Sequence, residues 1–329
     1  MWPNIDLYMN SLMHQNNMDE FMRYNCERDK RYCFVKVYAC NMCGTLTEEN
    51  AVIGIRLNCS QGFRPTLKAG IAVSVIRCRQ CSLIYSSPLP IPFNVQDHYG
   101  VPPDEYWTEQ YFVNDSNYFS EQISKAKKLI NFKAGMKALD IGAGLGKGMV
   151  ALAKAGFDVY GFEPSATFYE KAVERMGVSS EKLKLGMIEE MDFPSESFDF
   201  ITFGAVLEHL YDPNEAISKA VKWIKSNGVI QIEVPSSDWL ISKIVNIFYK
   251  ITGTNFVTNI SPMHEPYHLY EYTLQSFIEN GKLNNYEIVS FYYSACTPVH
   301  IPRMFHRLFI WYMHKTNTGM QLTVYLRRS

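Results

Sequence analysis

The sequence predicts an α/β chain built on a mostly parallel sheet, and three observations carry that expectation. Short apolar strands alternate with helical stretches from about residue 120 onward. The first of those strands runs straight into a glycine-rich turn. Ahead of them, four of the eight cysteines form two C-x-x-C pairs, which marks off a small β module.

At 329 residues the chain is long enough for one large domain or two smaller ones. Its 47% hydrophobic and 20% charged residues supply a packed core and exclude wholesale disorder. Thirty-two Lys and Arg against 33 Asp and Glu leave a net charge of -1. That balance argues against a protein that coats nucleic acid, where phosphate neutralisation provides most of the affinity. A small anionic substrate is still compatible with it. No apolar run reaches the roughly 18–20 residues of a membrane-spanning helix. The polar first 30 residues lack the apolar core of a signal peptide, so a cytoplasmic location with reduced thiols is expected.

Three regions differ in texture. Residues 1–36 are polar and read as an N-terminal extension. Residues 37–95 hold the cysteine pairs and β-branched stretches at 51–57 and 71–77. Pro88, Pro90 and Pro92, followed by Gly100, Pro102 and Pro103, mark the boundary of a second domain, 96–329. Within it, strands are expected at 137–141, 158–163, 198–203 and 229–234, and helices at 146–155, 165–176 and 213–225. Two further strands, at 286–293 and 320–327, break the alternation and predict an antiparallel C-terminal edge strand.

The strand at 137–141 leads into Asp140-Ile141-Gly142-Ala143-Gly144-Leu145-Gly146. Glycines let backbone amides approach a ligand with no Cβ in the way. The spacing is G-x-G-x-G with an acid ahead of it. A dinucleotide fingerprint would need G-x-G-x-x-G, and a P-loop would need G-x-x-x-x-G-K-[ST]. Glu163 ends the next strand, 23 residues after Asp140. A carboxylate at that tip can accept both hydroxyls of a ribose; capping the following helix is the competing role.

Together these residues resemble the class I S-adenosylmethionine-dependent methyltransferases, over roughly residues 120–328. The resemblance implies a Rossmann-like domain that binds S-adenosyl-L-methionine through Asp140, Gly142, Gly144, Gly146 and Glu163. It implies that Ile188 lies beside the adenine and that Glu189 reaches its amino group. Gly204 and Ala205, past the strand at 198–203, would flank the methionyl chain. The Leu207-Glu208-His209 run resembles the subgroup acting on quinones, sugars and other small molecules, with His209 either a base or a helix cap.

Cys40, Cys43, Cys78 and Cys81 form two knuckles separated by 34 residues. Four thiolates complete a tetrahedral zinc site with no position left for catalysis, so the metal would be structural; reduced structural thiols or a redox pair are the competing readings. The arrangement is similar to the zinc-binding segment ahead of the catalytic domain in deoxysugar C-methyltransferases and related polysaccharide-biosynthesis enzymes. A zinc-ribbon-like β module is therefore expected.

A helical, lid-like insertion is expected at about 236–270. Its stretch 239–251 is amphipathic. A lid packed over the active site is the favoured reading, and contact with a membrane surface is the alternative. His264-Glu265-Pro266-Tyr267-His268 formally contains H-E-x-x-H, but Pro266 breaks the helical turn that a zinc protease needs. The segment instead resembles the H-x-H-L-x-Y-type loop that serves the acceptor in sugar-modifying methyltransferases. The resemblance makes His268 the first candidate base, His209 the second, with His264 and Tyr270 behind them.

The expected activity is methyl transfer by in-line displacement to a sugar, nucleotide-sugar or related polyhydroxylated small-molecule substrate, with a histidine base. The alternatives are an RNA methyltransferase that grips RNA through the zinc module, and a non-catalytic scaffold that binds the cofactor. Nucleic acid and membrane are not the expected partners, and the oligomeric state is open.

Overall fold

The computed structural model describes residues 32–57, 72–92, 109–113, 115, 117–264, 266–297 and 301–329. Most of the expected N-terminal extension lies outside the described residues, as do Gly100, Pro102 and Pro103 of the expected boundary, and Glu265.

The first five strands are β1 (Tyr32–Val35), β2 (Ala51–Leu57), β3 (Ala72–Arg77), β4 (Ile84–Ser86) and β5 (Leu89–Pro92). β2, β3 and β4 form an antiparallel meander, and β1 pairs with β5. Next come α1 (Ser120–Leu129), β6 (Lys137–Ile141), α2 (Lys147–Lys154), β7 (Asp158–Glu163), α3 (Ala166–Glu174) and β8 (Leu183–Leu185). β9 (Phe198–Gly204), α4 (Pro213–Trp223) and β10 (Ile224–Pro235) complete the parallel strands. The remainder is α5 (Leu240–Ile251), β11 (Tyr270–Glu271), α6 (Leu274–Asn284), β12 (Tyr286–Ser294), α7 (Arg303–Thr316) and β13 (Gln321–Arg328).

The main sheet has seven strands in the order β12-β13-β10-β9-β6-β7-β8. β6 to β10 run parallel, and their apolar runs are buried because helices cover both faces. Leu139, Phe200, Ile201, Phe203, Ile230 and Ile232 are all sealed from solvent. The chain leaves β6 outward through β7 and β8, then returns to β9 on the other side. This reversal opens a crevice beyond the carboxyl ends of β6 and β9, where open α/β sheets bind ligands.

The expected alternation is present, with three differences in detail. The antiparallel strand is β13, and it lies one place in from the edge, between β10 and β12. Helix α4 stops at Trp223 because β10 already begins at Ile224, paired with Phe198 ahead of a bulge. The lid expectation for the insertion fails for α5. Its one buried residue is Ser242, while Ile244, Ile247, Phe248 and Ile251 are exposed. Those four apolar side chains face outward.

The cysteine module and the large sheet share one core. β11, from the insertion, pairs antiparallel with β4 and extends the meander to four strands. Thr273 Oγ1 donates to the Cys81 carbonyl (3.0 Å), Asn280 Nδ2 to that of Met42 (3.1 Å), and Asn41 Nδ2 to that of Tyr211 (3.2 Å). Met42, Cys78, Leu83 and Tyr85 pack in the same cluster as Trp223, Tyr272 and Phe277.

β2 also lies against the insertion: Ile55 N–H donates to the Asn255 carbonyl at 2.8 Å. A Cβ at Gly54 would meet that carbonyl oxygen at 2.5 Å and Val257 Cγ1 at 2.6 Å. The Gly54→Val chain is expected to lose about 1–3 kcal/mol of stability by overpacking. Chemical denaturation of the two proteins checks this.

Candidate active site

β6 delivers the glycine turn to the crevice. Gly142, Gly144 and Gly146 all have positive φ, at 66°, 54° and 73°. Their constraints differ. A Cβ at Gly142 would strike Val206 Cγ2 at 2.7 Å, and one at Gly146 would strike Val178 Cγ2 at 2.5 Å. A Cβ at Gly144 would meet nothing within 4 Å. The outer two are therefore glycine for packing, and the middle one leaves space for a ligand.

Two buried carboxyls brace this turn. Glu163 accepts from Gly144 N–H at 2.8 Å and from Ser165 N–H at 2.9 Å. Each of its oxygens keeps a further lone pair for a diol. Burial raises its pKa, although the two backbone donors oppose the shift. Asp140 lies beneath the first turn of α2, where a Cβ at Gly148 would stand 2.6 Å from its Oδ2. Burial, then the charge of Glu163, push Asp140 up to about 7. Gly148, which the sequence reading did not single out, is what lets Asp140 fit; its only signal was a fourth glycine continuing the alternation.

The neighbouring loop holds Ile188, buried, and Glu189. Lys219 Nζ donates to both their carbonyls, at 3.0 and 2.7 Å, and so pins the backbone. Glu189 Oε2 is buried with no hydrogen-bond partner among the described residues, an acceptor suited to an exocyclic amine. Its pKa is raised mainly by burial. At the end of β9, Gly204 and Ala205 are exposed, and a Cβ at Gly204 would meet nothing within 4 Å. The open glycines, the braced diol acceptor and the orphaned Glu189 oxygen all suit an adenosyl-type ligand.

A short 3-10 turn, Leu207–His209, follows. It brings His209 and His268 together around Glu208, with ring centroids 5.0 Å apart. Glu208 Oε1 lies 4.0 Å from His209 Nε2 and 3.8 Å from His268 Nε2, while its Oε2 has no partner among the described residues. Burial, then Glu233, push Glu208 up to about 8. Burial also holds His209 down to about 4 and, with His209 beside it, His268 down to about 3. At neutral pH the cluster is two neutral imidazoles around a largely protonated carboxyl. Glu208 is the member the sequence reading missed, although it stands next to His209 in the chain.

His268 is positioned by its backbone. Its N–H donates to Ser261 Oγ (3.2 Å), its carbonyl accepts from Ser261 N–H (2.8 Å), and Leu269 N–H donates to the Glu208 carbonyl (2.8 Å). The His209 ring Nδ1 lies 3.2 Å from the Tyr267 carbonyl, so that nitrogen carries the proton and Nε2 is left as the acceptor.

Two expected residues lie apart from this cluster. His264 Nε2 sits 3.2 Å from an Arg56 guanidinium nitrogen on β2. Tyr270 does not take a catalytic place: its ring is buried and its hydroxyl donates to the Tyr211 carbonyl at 2.8 Å, so it serves the β11–β4 junction.

In the cysteine module, the four sulfurs all lie within 4.8 Å of one another, with Cys40–Cys81 and Cys43–Cys78 at 3.4 Å. A tetrahedral zinc with Zn–S of about 2.3 Å separates its sulfurs by roughly 3.8 Å, so the quartet fits that ion. Each knuckle turns through a positive φ just after its second cysteine, at Gly44 (75°) and Ser82 (60°).

Residues 139–232 match the protein family described as "Methyltransferase domain". The chain is 28% identical to a ubiquinone biosynthesis O-methyltransferase of Rhodopseudomonas palustris over 132 residues, 39% of this chain and 50% of that protein. It is 26% identical to phosphoethanolamine N-methyltransferase 2 of Caenorhabditis elegans over 137 residues, 40% of this chain and 31% of the relative. The chain thus spans about half the length of the first of these relatives, and less of the second. An Archaeoglobus fulgidus SAM-dependent methyltransferase structure aligns at TM-score 0.46 and 15% identity, covering 68% of this chain and all of that one. The strand order is that of a Rossmann-like, mostly parallel methyltransferase fold, and within it residues 139–232 are similar to the methyltransferase domain family.

Proposed function

We propose that the chain transfers a methyl group from S-adenosylmethionine to an oxygen or carbon nucleophile of a small polyhydroxylated acceptor, a sugar or nucleotide-sugar foremost. The observation that carries this reading is the Glu208–His209–His268 cluster, set immediately after the open tip of β9 at the crevice. The cofactor, when bound, supplies a methyl group on a cationic sulfur, which leaves as a neutral thioether. Glu163 receives the ribose hydroxyls, the open face of Gly144 admits the ligand backbone, and Glu189 takes the adenine amine. His268 or His209 accepts the proton that the acceptor loses as it gains the methyl. Burial holds both imidazoles in the neutral, proton-accepting form at pH 7, but at pKa values this low they are weak bases in the ligand-free site. Proximity then provides much of the rate, up to about 7–11 kcal/mol in favourable systems.

The relatives whose names mention O- and N-methyl transfer support methyl transfer in general. The cluster offers proton acceptors, which an oxygen or acidic-carbon acceptor requires as it gains the methyl. The four thiols are proposed to hold a structural zinc ion that fixes the two knuckles and, through β4, the strand β11 beside His268.

Three measurements test this reading. Titration calorimetry should show S-adenosylmethionine binding to the intact chain and at least about tenfold weaker binding to Gly144→Val, about 1.4 kcal/mol; no heat from the folded wild type would overturn the reading. A methyl-transfer screen against nucleotide-linked sugars should give turnover that falls about 10²–10⁴-fold in His268→Ala with cofactor affinity retained. Undiminished turnover in both His268→Ala and His209→Ala would remove the base assignment. Metal analysis should find stoichiometric zinc in the wild type, and a deficit together with lowered stability in Cys78→Ser.

A further inference from the structure

The exposed stripe on α5 has a counterpart on α7. On α5, Ile244, Ile247, Phe248 and Ile251 are spaced by three, one and three residues, and so share one face of the helix. On α7, Met304, Phe305, Leu308, Trp311 and Tyr312 do the same. All nine are large apolar side chains on the surface, with Ile251 79% and Met304 80% exposed. Single exposed apolar residues are ordinary, but stripes on two joined helices are not. The helices are joined end to end: Leu240 N–H, at the start of α5, donates to the carbonyl of Thr318, just past α7, at 3.1 Å.

Charge identifies the occupant. The chain as a whole is close to neutral, at -1. These two helices carry Lys243, Lys250, Arg303, Arg307 and Lys315, with no Asp or Glu. Lys243 is paired with Asp238 at 2.8 Å. The other four have no recorded ion pair among the described residues. On α7 the wheel sets Arg303, Arg307 and His314 along one flank of the apolar face, and on α5 Lys243 and Lys250 flank it likewise. Apolar faces edged by cations, with Trp311 and Tyr312 among the apolar groups, match the acyl–headgroup boundary of a bilayer bearing anionic lipid. A second copy of this chain would set cation against cation across a two-fold interface, which is repulsive. Among the described residues no helix is long and apolar enough to cross a membrane, so the contact would be interfacial.

We propose that α5 and α7 together form a docking surface for an anionic membrane, on which the chain lies without inserting a spanning segment. The reading does not depend on methyl transfer. It reverses the weight the sequence placed on a lid, because the apolar face of α5 points away from the body of the protein.

The test is co-sedimentation of the full chain with vesicles of phosphatidylcholine alone and of phosphatidylcholine mixed with phosphatidylglycerol. The wild type should pellet with the anionic vesicles, at least about tenfold less with the neutral ones, and less as salt is raised. The double changes Phe248→Asp/Ile251→Asp and Leu308→Asp/Trp311→Asp should each lower the bound fraction about tenfold. Arg303→Glu/Arg307→Glu should remove the preference for anionic lipid. All these side chains are exposed, and an unchanged circular dichroism melt confirms that the variants fold. No pelleting with either vesicle, or pelleting that none of the variants reduces, overturns the proposal. So does a dimer in sedimentation equilibrium that the same changes dissociate while vesicles bind nothing, since that result gives the face to a second copy.

Discussion

The hydrogen bond from Gly144 N–H to Glu163 fixes the tip of β7 to the turn that follows β6. A carboxylate buried this deeply needs donors, and the amides of Gly144 and Ser165 are the ones in reach. Meeting that need sets where the turn lies and where the crevice opens. Asp140 plays the matching part from below, under the start of α2, and tolerates its burial because it is near the point of protonation at neutral pH. The glycines on either side of Gly144 are wedged against valines, so the turn has little freedom to move away from its acid.

The second half of the site is assembled from distant parts of the chain. β11 is only two residues long and could not persist alone. It is held on one side by β4 of the cysteine module, and Glu271 turns back to bind Asn259 and the backbone of Ile260. That bracket places Ser261, which in turn fixes His268 opposite Glu208. The module and the large sheet are thus one packed unit at this junction, and the histidine cluster is built where they meet.

Much of the geometry around the glycine turn was legible in the sequence because it is local. An apolar strand, alternating glycines and an acid at the next strand tip each constrain only a few neighbouring residues. The histidine cluster was legible in part: His209 and His268 were both singled out, but that they meet around Glu208 was not. The role of Tyr270 was not, because its hydroxyl is claimed by Tyr211, a partner that only the β11–β4 pairing brings near. Nor was the direction of α5, since periodicity shows that a helix is two-faced without showing which face looks inward. Position within the sheet was hidden for the same reason: the interior place of β13 follows from its pairing with β10, and no local pattern records that.

Of the four thiols, Cys43 alone is partly open to solvent; the other three are buried. An oxidant therefore meets the quartet at Cys43, on the knuckle that also carries Met42, whose carbonyl is bound by Asn280 of α6. The opposite knuckle is tied to the same part of the fold, because Thr273 and Ser276 bind the Cys81 carbonyl and β4 carries β11. Oxidation of one partly exposed sulfur would thus be felt two elements away, in the segment that carries His268.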